Sequence, residues 1–171
     1  EMLELNRISA GYGKQTVLDG ISVDFEKGKL TSIIGVNGCG KSTLLKAILG
    51  ILSLSNGEIF IDGENLLTIS RNEIAKKIAY LSQGKNIPDM TVEQMVLHGR
   101  FPYLSYPRRY SSHDREVAIK AMEIVGVAEF AHKPLYSLSG GMRQNAYIAM
   151  ALAQDTDYIL LDEPTTYLDI A

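Results

Sequence analysis

The amino-acid sequence predicts an α/β protein with a mainly parallel sheet, an antiparallel β subdomain at its N-terminal end and an inserted α-helical subdomain. Three observations carry the prediction. Leu3 to Ser9 and Ile21 to Phe25 alternate apolar and polar residues, the pattern of half-buried antiparallel strands. Leu30 to Ile34 and Tyr158 to Leu161 are short apolar runs, as expected of strands in a buried parallel sheet. Between Gly84 and about Leu135 the apolar period becomes helical.

Each element follows from local chemistry. Gly11, Gly13 and Gly28 punctuate the opening strands. The run Leu30 to Ile34 ends in the glycine-rich Gly35 to Gly40, after which Lys41 to Leu49 has helical spacing and is closed by Gly50. Gly57 to Gly63 reads as a further hairpin strand, and Ile78 to Leu81 as a brief strand leading into Ser82 and Gln83. Thr91 and Gln94 have capping-box spacing, and Val117, Ala121, Ile124 and Val125 recur at helical intervals before Gly126. Ser139 to Gln154 is a strong helix, and the strand Tyr158 to Leu161 ends at Asp162 and Glu163. A chain of 171 residues has the size of one domain. Its expected core is 1–83 with 136–171, and 84–135 is the helical subdomain.

Composition excludes several classes. The 46% hydrophobic and 22% charged residues are ordinary for a globular protein, which argues against disorder and fibrous repeats. A formal net charge of -3 provides no overall basic field for nucleic acid or anionic lipid, so anion binding has to be local. Cys39 is the single cysteine, which excludes an internal disulfide and fits a reducing compartment. Glu1 to Ala10 lacks the apolar core of a signal peptide, and no run reaches the ~20 apolar residues of a membrane span. Membrane association is therefore expected only through a partner.

Gly35-Val36-Asn37-Gly38-Cys39-Gly40-Lys41-Ser42-Thr43 satisfies the phosphate-loop pattern between a predicted strand and a predicted helix. Glycines there let successive backbone N–H groups turn toward phosphate oxygens, and the helix N-terminus adds partial positive charge. Lys41 can reach the outer phosphates, and Ser42 is placed to ligate magnesium. Cys39 reads either as a thiol activated by the helix N-terminus or as a loop filler.

Asp162 and Glu163 lie at the carboxyl end of a predicted parallel strand, where open α/β sheets place ligand sites. The first is assigned to magnesium and the second to orienting or deprotonating an attacking water. Alone, Asp-Glu-Pro would be equally consistent with a strand end entering a turn. Leu138-Ser139-Gly140-Gly141-Met142-Arg143-Gln144 adds a second Ser-Gly-Gly at a helix start, another nest of N–H groups able to meet a phosphate.

With this element the chain resembles the ATP-binding cassette ATPases over about Leu3 to Ile170. The resemblance implies a RecA-like phosphate-loop NTPase fold and ATP hydrolysis with magnesium. It also implies a head-to-tail dimer in which Ser139, Gly140 and Gly141 of one copy meet the terminal phosphate of ATP on the phosphate loop of the other. It assigns Gln83 to magnesium and to sensing the membrane partner, Tyr12 to stacking on adenine, and Asp169 to communication across the dimer. Tyr12, beside Gly11 and Gly13, could equally cap a hairpin.

His98-Gly99-Arg100-Phe101-Pro102-Tyr103, Ala153 to Asp157 and Thr165 to Ile170 look like the importers of iron-siderophores, haem and vitamin B12. This similarity implies membrane-embedded permease subunits as direct partners and a periplasmic or extracellular binding protein as an indirect one. No nucleic acid partner is implied. The subunit would sit peripherally on the cytoplasmic face of a bacterial or archaeal inner membrane. Arg100, Arg108 and Arg109 are read as either a basic, aromatic-lined docking face or a solvated charged surface.

The sequence departs from the family in a few places. Met142 stands where glutamine is more usual and Asn145 where arginine is. The family histidine expected roughly thirty residues after the Asp169 region has no counterpart, since His98, His113 and His132 all lie in the helical insertion. The expectation is a C-terminally truncated chain that binds ATP but hydrolyses it poorly and whose open sheet edge favours self-association. Two competing classes remain. A ribosome-associated or chromosome-maintenance ATPase is disfavoured by the short interval between Lys41 and Ser139 and the lack of a second cassette. A phosphoryl-transferring kinase is disfavoured by the Ser139 element.

Overall fold

The computed structural model describes residues 2–82 and 86–162. Within it the chain divides into two compact units, Glu1–Ile74 and Ala75–Ala171.

The first unit is an antiparallel sheet with one helix against it. Strands β1 (Met2–Tyr12) and β2 (Gln15–Glu26) form the predicted hairpin, and β3 (Asn56–Ile61) pairs on the other side of β1, followed by the short β4 (Glu64–Asn65). Alternation decides which face is buried: Leu3, Leu5 and Ile8 point into the core with polar residues between them, and Ile59 and Ile61 do so on either side of the half-buried Phe60. The register slips between Leu5 and Ile8, where Arg7 takes a left-handed φ of 46° and its N–H donates to Ser22 Oγ. Opposite this bulge, Gly57 (φ 82°) approaches so closely that a Cβ would lie 2.4 Å from the Arg7 carbonyl oxygen. No other residue type fits there. Helix α1 (Lys41–Ile48) packs on the sheet through Leu44, Leu45, Ala47 and Ile48.

Leu30 to Ile34 forms no strand, contrary to expectation. Apolar composition nominates a strand, but a ladder needs a neighbour, and among the described residues this segment pairs with none. Leu30 and Ile34 are consequently 95% and 93% exposed.

In the second unit, β5 (Ile78–Leu81) pairs in parallel with β6 (Tyr158–Leu161), at the predicted boundaries. Burial on both faces is not achieved. Tyr158 is buried, but Ile159 and Leu161 are exposed, because β6 has one ladder partner among the described residues. Helix α2 (Arg71–Lys77), which the sequence reading missed, leads into β5 across the division between units.

Three helices carry the core of this unit. They are α3 (Val92–Leu97), α4 (Ser112–Ile124) and α5 (Gly140–Ala153), and Val92, Val96, Met122, Val127, Leu135 and Ala149 pack between them. Thr91 and Gln94 make the predicted capping box, and Ser111 with Asp114 makes a second. Gly99 lets the segment after α3 touch α5, since a Cβ there would meet Met150 O at 2.2 Å.

Candidate functional site

The phosphate loop is assembled in the first unit. Gly38 (φ 81°) and Gly40 (φ 103°) supply left-handed turns, and the Cys39 N–H closes on Val36 O at 3.3 Å. Gly40 is the N-cap of α1, so no side chain caps the helix, and its first turn holds no acidic residue. The leading N–H groups of α1 are thus left to meet an anion. A Cβ on Gly40 would sit 3.2 Å from both Val17 and Leu18 side chains, so the sheet holds the loop in place from behind.

Side chains around this turn divide by exposure. Lys41 Nζ donates to the carbonyls of Gly35 and Val36 at 2.8 and 3.0 Å, which holds the ammonium across the loop. Ser42 is exposed, whereas Thr43 is buried against the core. Asn37 and the free Cys39 are exposed on the loop. Tyr12, at the end of β1 and 48% exposed, has Lys46 of α1 5.9 Å from its ring centroid. The aromatic ring proposed for adenine therefore stands beside the helix that begins at Lys41.

The second unit holds the other elements. Asp162 follows β6, and its N–H donates to Leu81 O at 3.0 Å, extending the ladder by one bond. Tyr80 of β5 donates its hydroxyl to Asp162 Oδ2 at 3.3 Å. Burial, reinforced by this carboxylate, pushes the Tyr80 phenol up to about 12. Ser139 is the N-cap of α5, and its Oγ accepts from the Met142 N–H at 3.3 Å. Gly140 and Gly141 open the helix, and the Cβ position of Gly141 faces open space. Gln83, Glu163 and Asp169 lie outside the described residues.

The two departures from the family pattern in α5 have local roles. Met142 packs against the helical core, and Asn145 Nδ2 donates to Val125 O at the end of α4. Ser139→Ala should cost about 1 kcal/mol through the lost cap, read as a lower urea midpoint with unchanged slope. A midpoint equal to that of the parent chain would contradict the capping role.

Magnesium fits the donors available. Among the described residues no group of three or more His, Cys, Asp or Glu could form a protein-only metal site. Taken separately, the first unit offers an exposed hydroxyl at Ser42 and the second a carboxylate at Asp162. Single oxygen donors of this kind are the type magnesium uses, since it keeps several waters and is held by one or two protein oxygens together with substrate phosphates.

The proposed basic face needs correction. Arg100 is only 3% exposed, and its Nε donates to Asp114 Oδ1 at 3.0 Å, so a charge paired inside the helical unit cannot line a docking surface. Arg108 does lie on the Phe101 ring, 4.4 Å from its centroid. The Arg100–Asp114 and Tyr80–Asp162 pairs escape sequence reading, because no local pattern links the partners. For Asp114, the Ser-x-x-Asp spacing from Ser111 is the one local signal that could have marked it as a capping residue.

Comparison with known proteins accords with this geometry. The family description "ABC transporter" matches residues 18–166. A petrobactin import ATP-binding protein of Bacillus anthracis is 44% identical over 169 residues, covering 98% of this chain and 62% of its own length. An iron(3+)-hydroxamate import ATP-binding protein of Bacillus subtilis is 43% identical over 170 residues, covering 99% and 63% respectively. The chain thus spans a little over three-fifths of these relatives. A solved ATP-binding cassette of an ABC transporter, in its ADP conformation, superposes with a TM-score of 0.86 at 27% identity, covering 100% of this chain and 71% of that one. The matched span takes in the phosphate loop, Asp162 and the Ser139 element, and the chain belongs to the ABC transporter family.

Proposed function

We propose that this chain binds Mg-ATP and, as one half of an ATP-closed dimer, powers import of a ferric chelate through a membrane permease. The observation that carries the reading is the uncapped, glycine-turned start of α1, with Lys41 across the loop and Tyr12 beside the same helix. Relatives named for petrobactin and iron-hydroxamate import support the cargo class. In this reading residues 1–83 and 136–171 are the nucleotide-binding core, and 84–135 is the helical subdomain. The subunit is peripheral, on the cytoplasmic face of the membrane. Among the described residues no helix is long and apolar enough to cross a membrane. An extracytoplasmic binding protein delivers the chelate to the permease.

The residues divide the work. N–H groups of Gly38, Gly40, Lys41, Ser42 and Thr43 bind phosphate oxygens, and Lys41 neutralises charge on the outer phosphates. Ser42 and Asp162, with Gln83, hold magnesium, whose chemistry when bound is to neutralise charge on the β and γ phosphates. Glu163 orients the attacking water and accepts its proton. Ser139, Gly140 and Gly141 of the second copy supply further donors to the terminal phosphate, so closure and catalysis coincide.

Glu163→Gln tests this reading. It should bind ATP without turning it over and elute with the mass of a dimer in ATP and a monomer without it. A monomer in saturating ATP would exclude the closed-dimer mechanism. Capture of ribosomes rather than permease by the same ATP-loaded variant would transfer the chain to the translation-associated class.

A further inference from the structure

We propose that Tyr80 is a positioning residue for the magnesium site, acting by holding one oxygen of Asp162. The inference rests on the reading of Asp162 as the metal-side carboxylate. Tyr80 is directly opposite Leu160 in the parallel pair β5–β6. Strand residues alternate faces, so Asp162, two positions beyond Leu160, projects from the same face as Leu160. An aromatic side chain is long enough to span that diagonal, and the Tyr80 hydroxyl reaches Asp162 Oδ2 at 3.3 Å.

Two attachments then fix the acid. Its backbone N–H is held by Leu81 O at 3.0 Å and its side chain by the phenol. Bonding Oδ2 stops rotation of the carboxylate and leaves Oδ1 for the metal or a metal-bound water. Partners that orient a metal ligand in this way commonly govern affinity as strongly as weak ligands do. Tyr80 is itself half-buried, so water competes less for the bond than it would on an open surface. Because Tyr80 and Leu81 lie on the strand that runs toward Gln83, the acid is gripped by the same element that leads to another proposed magnesium contact.

The probe is manganese in the presence of ATP, with binding followed by electron paramagnetic resonance at a temperature where the chain is folded. Tyr80→Phe removes only the hydroxyl. It should weaken manganese binding about three- to tenfold, the worth of one hydrogen bond, while changing ATP affinity in EDTA by less than twofold. Manganese affinity within twofold of the parent chain, or tighter, would overturn the proposal. A parallel loss of metal-free ATP affinity would also overturn it, since that marks general damage.

Asp162→Asn separates the levels of the argument. If it weakens manganese binding more than tenfold while Tyr80→Phe changes it by less than twofold, the positioning role fails and the reading of Asp162 stands. If Asp162→Asn leaves manganese binding unchanged, both fail. Should Tyr80→Phe not fold, Tyr80→Met, which also lacks the donor, is held to the same limits.

Discussion

Replacing Lys41 by alanine should lower the affinity of the chain for ATP by about ten- to a hundredfold, the value of one or two hydrogen bonds from a cation to phosphate. The ammonium already donates to Gly35 and Val36 carbonyls, so binding exchanges two bonds to neutral oxygens for bonds to charged ones. The gain is the difference between the two sets, which is why the upper limit is modest. Lys41→Met retains most of the apolar stem and should lose nearly as much, placing the effect in the charge. Both variants should unfold near the parent midpoint, because the bonds they delete are exposed. Displacement of a fluorescent ATP analogue measures the change, and an affinity within twofold of the parent would sink the phosphate-loop reading.

The predicted loss depends on a loop whose local conformation was legible in the sequence. Gly38 and Gly40 occupy positions that need positive φ, and the helix spacing from Lys41 set the direction of α1. Likewise β5, β6, the Thr91 capping box and the start of α5 at Ser139 all follow from short-range pattern. Failures came where a partner distant in sequence decides the outcome. Leu30 to Ile34 has the composition of a buried strand yet pairs with nothing among the described residues. Arg100 looked like surface charge because most arginines are, and only the fold brings Asp114 and the end of α5 to it. Tyr80 has no local signal for its bond to Asp162, 82 positions away.

Arg100 consequently makes the larger stability prediction. Its Nη1 donates to Ala153 O, one of the orphan carbonyls at the C-terminus of α5, while its Nε pairs with Asp114 in the first turn of α4. A cation is thus placed at a helix end that favours positive charge and a carboxylate at one that favours negative charge. The guanidinium also stacks on Tyr103, 4.0 Å from the ring centroid, and Tyr103 donates to Gln154 O at 2.9 Å. Gln154 in turn donates to Ala75 O and Ile78 O, so the joint extends to the start of β5.

Arg100→Met should cost about 3 kcal/mol at neutral pH, chiefly because Asp114 is left buried without its counter-charge. Arg100→Lys should recover only part, since a single ammonium cannot bridge two acceptors and stack at once. The pH dependence fixes the cause. Burial alone would raise the Asp114 carboxyl, but donation from Ser111 and from Arg100 outweighs it and holds the group below its ordinary value. A depressed carboxyl contributes stability that is complete above its unfolded value, about 3.9, and is lost as pH falls through the folded value. Without Arg100 the carboxyl is no longer held down and protonates at higher pH, which relieves the uncompensated charge. The gap between parent and Arg100→Met, measured by urea unfolding, should therefore narrow from pH 7 to pH 4. Arg100→Met with Asp114→Asn should be more stable at pH 7 than Arg100→Met alone, because no bare charge remains. A gap below about 1 kcal/mol, or one that stays constant with pH, would show that the pair does not lock the end of α5.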